Sequence, residues 1–251
     1  MPSDQVTEQS DSYGKVYLIG AGPGATDLIT VRGARILALA DAVLYDALVT
    51  DDMLALCPQA EKISVGKRSG QRSTAQVIIN EKLVECAKKY AVTVRLKGGD
   101  PMLFGRADEE LHALEAEGIE FEIIPGITAA FAAAAAAKQP LTKRGIARSV
   151  AFFTSSTAPN EPDQATLPDC DTLVQYMGGK EAIATARQLL AQGRPPHLPV
   201  IVVESCSRED QCIRYLRLDE LEHGLSLCTG GPVLVMFGKA LAVRANNNTK
   251  S

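Results

Sequence analysis

The sequence predicts an α/β fold, arranged as two α/β/α domains with a ligand cleft between them. Short apolar runs of strand length alternate with segments of helical periodicity from Lys15 onward. Three of these runs, Val16-Tyr-Leu-Ile19, Val92-Thr-Val-Arg-Leu96 and Phe121-Glu-Ile-Ile124, lead directly into turns rich in glycine and proline. The turns are Gly20-Ala-Gly-Pro-Gly24, Lys97-Gly-Gly-Asp-Pro101 and Pro125-Gly-Ile-Thr-Ala129. In open α/β sheets ligands sit beyond the carboxyl ends of the strands, so three such turns point to one shared pocket. The alternation is also interrupted once, at 138–148, by Pro140, Gly145 and a group of basic residues, before strands resume. These features place a tail at 1–13, an N-terminal α/β domain at 14–137, a linker at 138–148, a C-terminal α/β domain at 149–244 and a second tail at 245–251.

After the first strand and its glycine turn, Val31, Ala34, Leu37 and Ala38 form a helical stripe, with Thr26 or Thr30 as its cap. Ala42-Val-Leu-Tyr45 reads as a short strand. Ser73 and Gln76 resemble a capping box, followed at helical spacing by Ile79, Leu83, Cys86 and Tyr90. A helix through Leu111 and Leu114 ends at Gly118, with Asp108, Glu109 and Glu110 as first-turn acids favoured by the helix dipole. Thr128 to Ala137 reads as a helix of small side chains. In the second half, strands are expected at 149–154, 172–177, 200–204 and 233–237, and helices at 180–192 and 219–223. The loop 158–168 is rich in proline.

Composition narrows the class of function. Hydrophobic residues make up 46% and charged residues 22% of the 251, as in ordinary globular proteins. With 26 basic and 30 acidic residues the net charge is −4, which argues against a nucleic-acid partner bound through a broad basic surface. The longest apolar run, Ile127 to Ala137, is far shorter than the roughly 20 residues of a membrane span. The polar start of the chain does not resemble a signal peptide, so the expected setting is cytoplasmic, with no membrane partner. The six cysteines form no CxxC pair and read as reduced packing residues, and the three histidines are dispersed. No metal site is expected.

Two motifs are open to more than one reading. Gly20-Ala-Gly-Pro-Gly-Ala25 nearly matches the dinucleotide fingerprint, with Asp46 near the place of a ribose-binding carboxylate. A helix beginning only after Thr26 or Thr30 would leave no amide-lined terminus over a pyrophosphate, and the motif is equally a tight turn. Asp100 fits either a ligand ammonium or the cap of the next helix. Asp46 is also a natural strand-end turn residue, and Lys67 a natural solvated loop lysine.

Taken together, several segments resemble the tetrapyrrole methylases. They are the first strand with Gly20–Gly24, Asp27-Leu-Ile-Thr30, Tyr45-Asp46, Val65-Gly-Lys-Arg68, Val94–Pro101 with Phe104-Gly-Arg106, Pro125–Ala129, Pro140-Leu-Thr-Lys-Arg-Gly145 and Tyr176-Met-Gly178. The resemblance spans roughly residues 14 to 240 and is strongest to members that act on uroporphyrinogen III. It implies S-adenosylmethionine as methyl-donor cosubstrate, bound between two α/β domains in a homodimer. It also implies C-methylation of uroporphyrinogen III to precorrin-2, for siroheme or cobalamin-type pathways. Pro23, Gly98, Gly99, Asp100, Leu103, Thr128, Ala129, Met177 and Cys206 are then expected to line the cofactor. Asp46 is expected as proton acceptor and Lys67 as proton donor. This cosubstrate carries no phosphate, so the glycines would serve close backbone approach, and its cationic sulfonium suits a nearby Asp100.

The basic residues Arg68, Arg72, Arg106, Lys143, Arg144 and Arg148 fall in loops, and a polycarboxylate substrate would draw on them. Four places depart from the family pattern. Ala47 stands where relatives commonly have arginine, Lys143 where they have histidine, and Thr154-Ser-Ser156 where they have Thr-Gly-His. Cys206 replaces a glycine, so only its backbone would keep a cofactor role. The rival expectations are a methylase of a later precorrin, an NAD(P)-binding oxidoreductase or sensor, and a weakened methylase homologue kept for binding.

Overall fold

The computed structural model describes residues 13–66, 76–155 and 166–243. The chain divides into two compact units, Met1–Ile127 and Thr128–Ser251.

The first unit contains strands β1 (Lys15–Gly20), β2 (Ala42–Tyr45), β3 (Glu61–Ser64), β4 (Val92–Lys97) and β5 (Phe121–Ile124). They form one sheet in the order β3-β2-β4-β1-β5, with every neighbouring pair parallel. A parallel sheet needs cover on both faces, and alternation along the strands provides for it. Val16 and Leu18 of β1 pack with Leu44, Ile79, Leu83 and Leu114, on the side of helices α3 (Gln76–Lys89) and α4 (Ala107–Ala116). Ile19 packs with Val43, Leu37, Met53 and Leu54, on the side of α1 (Val31–Leu37) and α2 (Asp51–Leu54).

The second unit has a mixed sheet of β6 (Val150–Thr154), β7 (Thr172–Tyr176), β8 (Pro199–Glu204), β9 (Cys212–Arg217) and β10 (Val233–Gly238). Its order is β6-β7-β10-β8-β9, with only β6 and β7 paired in parallel. Leu173, Val200, Val202, Val235 and Phe237 face α6 (Glu181–Ala191) and α7 (Leu218–Glu222). Val174, Ile201, Val203, Leu234 and Met236 face α5 (Ala129–Ala136).

This packing corrects the expected boundary. The alanine-rich helix assigned to the first domain belongs to the second unit, because Ala130, Ala133 and Ala137 are buried in the core built on β7, β8 and β10. Nor is 138–148 a loose linker. Leu141 and Ala147 are buried, Thr172 Oγ1 donates to the Leu141 carbonyl, and the Lys143 and Ala147 backbones pair. Ser73 of the expected capping box, both chain tails and most of the proline-rich loop lie outside the described residues. The elements α2, β3 and β9 were not anticipated.

Candidate functional site

In the first unit the parallel register brings the carboxyl ends of four strands to one edge. Gly20 stands opposite Lys97, Ile19 opposite Ile124, and Tyr45 opposite Leu96. The three expected turns therefore emerge side by side, and they grip one another. Gly22 and Gly99 exchange backbone hydrogen bonds of 3.1 and 2.7 Å. A Cβ on Gly126 would come within 2.2 Å of the Gly99 carbonyl oxygen and 2.7 Å of the Gly20 Cα. The glycines are thus required first by loop-to-loop contact.

Asp100 joins two of these turns. One carboxylate oxygen accepts from the Met102 N–H and the other from the Gly126 N–H, both at 2.8 Å. It does not cap α4, whose N-cap position is Arg106. Gly99 itself lies at φ 71°, in the left-handed region that favours glycine.

Asp46 follows β2 at the same edge. Its carboxylate accepts from the Leu48 N–H at 2.9 Å and the Gly98 N–H at 3.2 Å. The first of these is the expected strand-end turn, and the second ties β2 to the loop after β4. Each oxygen takes one donor, which leaves further lone-pair capacity on a carboxylate. The chain leading to Lys67 arrives here too: Gly66 N–H donates to the Tyr45 carbonyl, and a Cβ on Gly66 would overlap the Ala47 nitrogen at 2.1 Å. Lys67, Arg68 and Arg72 themselves lie outside the described residues.

Behind this edge is a buried ion network that the sequence reading missed. Glu110 lies in the first turn of α4, as expected, and its side chain is fully buried. Its two oxygens meet Arg95 Nε at 2.9 Å and Lys97 Nζ at 2.8 Å. Burial pushes the Lys97 amine below its ordinary range and the Arg95 guanidinium adds to this, against the opposing pull of Glu110 and Asp46. A helix-face acid at i to β-strand cations has no local spacing signature, so only the packed structure reveals it.

The α1 helix starts at Val31, after a single 3-10 turn at Thr26–Leu28. Thr30 is its cap, with Oγ1 accepting from the Gly33 N–H at 3.1 Å. The glycine turn therefore does not run straight into the amide-lined helix start of a dinucleotide site. Pro23 and Leu103 lie half-buried at the edge, with Leu48, Met102 and Phe104 exposed around them. Arg106, exposed at φ 54°, is paired to Glu109 at 2.7 and 2.8 Å.

In the second unit β6, β7 and β8 run in the same direction, since β10 is antiparallel to both β7 and β8. Their carboxyl ends carry Met177, directly after β7, and Cys206, shortly after β8. Met177 is exposed and held at φ 55°. Thr128 and Ala129 are fixed nearby through Tyr176, whose hydroxyl bonds Thr128 Oγ1 at 2.5 Å and accepts from the Ala130 N–H at 3.2 Å. Tyr176 thus does the work of a side-chain cap at the start of α5, a role its place in Tyr176-Met-Gly178 did not reveal. Cys206 is buried, and burial pushes its thiol up to about 11. Lys143 is half-buried and Arg144 and Arg148 are exposed in the segment before β6.

Among the described residues, Asp46, Pro23, Gly98, Gly99, Asp100 and Leu103 gather at the carboxyl edge of the first sheet, and Met177 and Cys206 at that of the second, while Lys143, Arg144 and Arg148 precede β6 and join neither group. Glycine-backed loops with an apolar rim and few fixed charges suit a neutral or cationic nucleoside better than a phosphate.

Comparisons with known proteins agree on one family. Residues 15–222 match the model of the tetrapyrrole (corrin/porphyrin) methylases. Siroheme synthase 1 of Pectobacterium atrosepticum is 44% identical over 91% of this chain and 48% of its own length. The chain spans about half the length of the curated relatives it matches. Among solved structures, uroporphyrin-III C-methyltransferase from Thermus thermophilus in complex with S-adenosyl homocysteine has a TM-score of 0.77 at 35% identity, covering 91% of this chain and 93% of that one. A cobalt precorrin-4 methyltransferase has a TM-score of 0.75 at 28% identity, covering 91% and 96%. By sequence and by architecture, the chain belongs to the tetrapyrrole methylases.

Proposed function

We propose that this protein transfers methyl groups from S-adenosylmethionine to carbon atoms of uroporphyrinogen III, giving precorrin-2. The observation that carries this reading is the interlocked trio of glycine loops at the carboxyl edge of the first sheet, with Asp46 and the approach to Lys67 beside it. The solved relative named uroporphyrin-III C-methyltransferase, complexed with S-adenosyl homocysteine, supports the choice of cosubstrate. On this reading the cosubstrate supplies an activated methyl as a sulfonium. The residues that would hold it are the backbone of Gly98–Asp100, the side chains of Pro23 and Leu103, Thr128, Ala129, Met177 and the Cys206 backbone.

The remaining work falls to this chain's own groups. Orientation of the pyrrole carbon in line with the transferring methyl contributes most of the acceleration. Asp46 accepts the proton that the methylated ring system gives up, and any proton Lys67 donates to the ring is balanced by a second one lost to solvent, so each transfer releases one proton net. Arg68, Arg72, Arg106, Lys143, Arg144 and Arg148 bind the substrate carboxylates, with guanidinium groups offering paired donors. A homodimer is the expected assembly. Likeness to a cobalt precorrin-4 methyltransferase keeps a later precorrin as the second reading. Isothermal calorimetry tests the cosubstrate: S-adenosylhomocysteine binds at micromolar strength and NADPH gives no heat. The reverse preference would overturn the proposal.

A further inference from the structure

Two cysteines expected to be reduced packing residues instead meet away from the cores. Cys212 opens β9, and Cys228 lies in the loop that leads into β10. Their sulfurs, 16 residues apart in sequence, approach to 2.6 Å, with the Cys212 thiol donating to Cys228 Sγ. Cys228 is exposed and Cys212 half-buried, whereas Cys57, Cys86 and Cys206 are buried.

The surroundings are built. The buried Glu204 carboxylate accepts from the Cys228 N–H at 2.8 and 2.9 Å and from the Thr229 N–H at 3.0 Å. This pins the backbone that carries one thiol. Arg214 Nη2 lies 3.3 Å from Glu204 Oε1 and 3.4 Å from Cys228 Sγ. The Arg214 guanidinium sets a positive charge beside the exposed Cys228 sulfur, and the thiolate is the nucleophilic form of any cysteine. The hydrogen bond to Cys228, together with burial, pushes the Cys212 thiol up, so Cys212 keeps its proton while Cys228 is reduced.

We infer that Cys228 and Cys212 form a redox-active dithiol, which low-molecular-weight disulfides of the glutathione class oxidise to an intramolecular disulfide. Cys228 thiolate attacks one sulfur of the small disulfide, forming a mixed disulfide and releasing one thiolate. Cys212 then loses its proton and attacks Cys228 Sγ, and the second small thiolate leaves. Two protein thiols are oxidised and one small disulfide is reduced to two thiols. The new bond tethers the loop before β10 to the start of β9. That loop also braces the turn after β8, through Thr229 Oγ1 to Ser205 Oγ at 3.1 Å and the Ser205 N–H to the Pro232 carbonyl at 2.9 Å. The ligand atoms of Glu204, Cys212 and Cys228 also lie within 4.8 Å of one another. Arg214 Nη2 donates to two of the three, Glu204 and Cys228.

The test is to treat the full-length protein with excess glutathione disulfide, alkylate the remaining thiols and map peptides by mass spectrometry. The expected product is a peptide linking Cys212 to Cys228. Cys212→Ser should stop at a glutathione adduct on Cys228, and Cys228→Ser should give neither product at these positions. Arg214→Gln should slow alkylation of Cys228 at neutral pH several-fold. The inference is overturned if both thiols stay fully alkylatable after oxidant, or if oxidation links other cysteines. Stoichiometric zinc uptake that protects both thiols until a chelator is added, without any disulfide, would make the cluster a metal site instead.

Discussion

Asp46 shows how one side chain can satisfy two demands. As a turn former it fixes the end of β2 through Leu48, and as a bridge it fixes Gly98 after β4. A proton acceptor held by two backbone donors is preorganised, which is what a positioned base requires. Asp46→Asn keeps the turn's shape but not its proton affinity. Turnover should fall by ~10²–10⁴-fold, the usual worth of a positioned acid or base, while S-adenosylhomocysteine affinity stays nearly constant. Lys67→Met should show the same split. Wild-type turnover in both variants would return them to purely structural roles. Gly126 makes a different prediction. Because any Cβ there runs into the Gly99 carbonyl, Gly126→Ala should cost on the order of 1–3 kcal/mol by overpacking, measured by urea denaturation. A neutral result would mean that the loops are not locked together.

Among the elements, β4 carries the most. Its last residues hold the buried Arg95–Glu110–Lys97 network and then deliver Gly98, Gly99 and Asp100 to the edge. Removing the shared carboxylate would leave two buried cations uncompensated, so Glu110→Ala should destabilise the protein by about 3–5 kcal/mol. Calorimetric unfolding would check this, and a loss below about 1 kcal/mol would mean that the pair is effectively solvated.

Most elements were legible because their signals are local. The strand runs before each glycine turn, the stripe of α1 and its Thr30 cap all appear within a few residues of sequence. β9 was overlooked because Cys-Ile-Arg-Tyr-Leu-Arg is an edge strand whose outward residues are charged or polar. The ion partners of Glu110 were not foreseen because they are on another element, and α5 was misplaced because an alanine helix has no face that names its sheet. The glycines were correctly singled out, but their contact with one another depends on register, which single runs do not encode.

For the whole molecule, charge is the main constraint on the proposed substrate. A chain of net charge −4 must concentrate its cations to bind a polycarboxylate. Neutralising Arg68 and Arg144 together should raise KM for the tetrapyrrole while leaving KM for S-adenosylmethionine unchanged. Substrate binding should also weaken as salt rises, since partly exposed pairs are screened. Salt-independent binding unaffected by these substitutions would place the macrocycle elsewhere. No helix among the described residues is long and apolar enough to cross a membrane. The most direct measurement is therefore of the reaction itself: incubation with S-adenosylmethionine carrying a labelled methyl and with freshly reduced uroporphyrinogen III, read by product mass. The account predicts label in the tetrapyrrole, a net mass gain of two CH2 units, each methyl arriving as one proton leaves, and release of two equivalents of S-adenosylhomocysteine. An unmodified tetrapyrrole, with enzyme that binds S-adenosylhomocysteine normally, would contradict it.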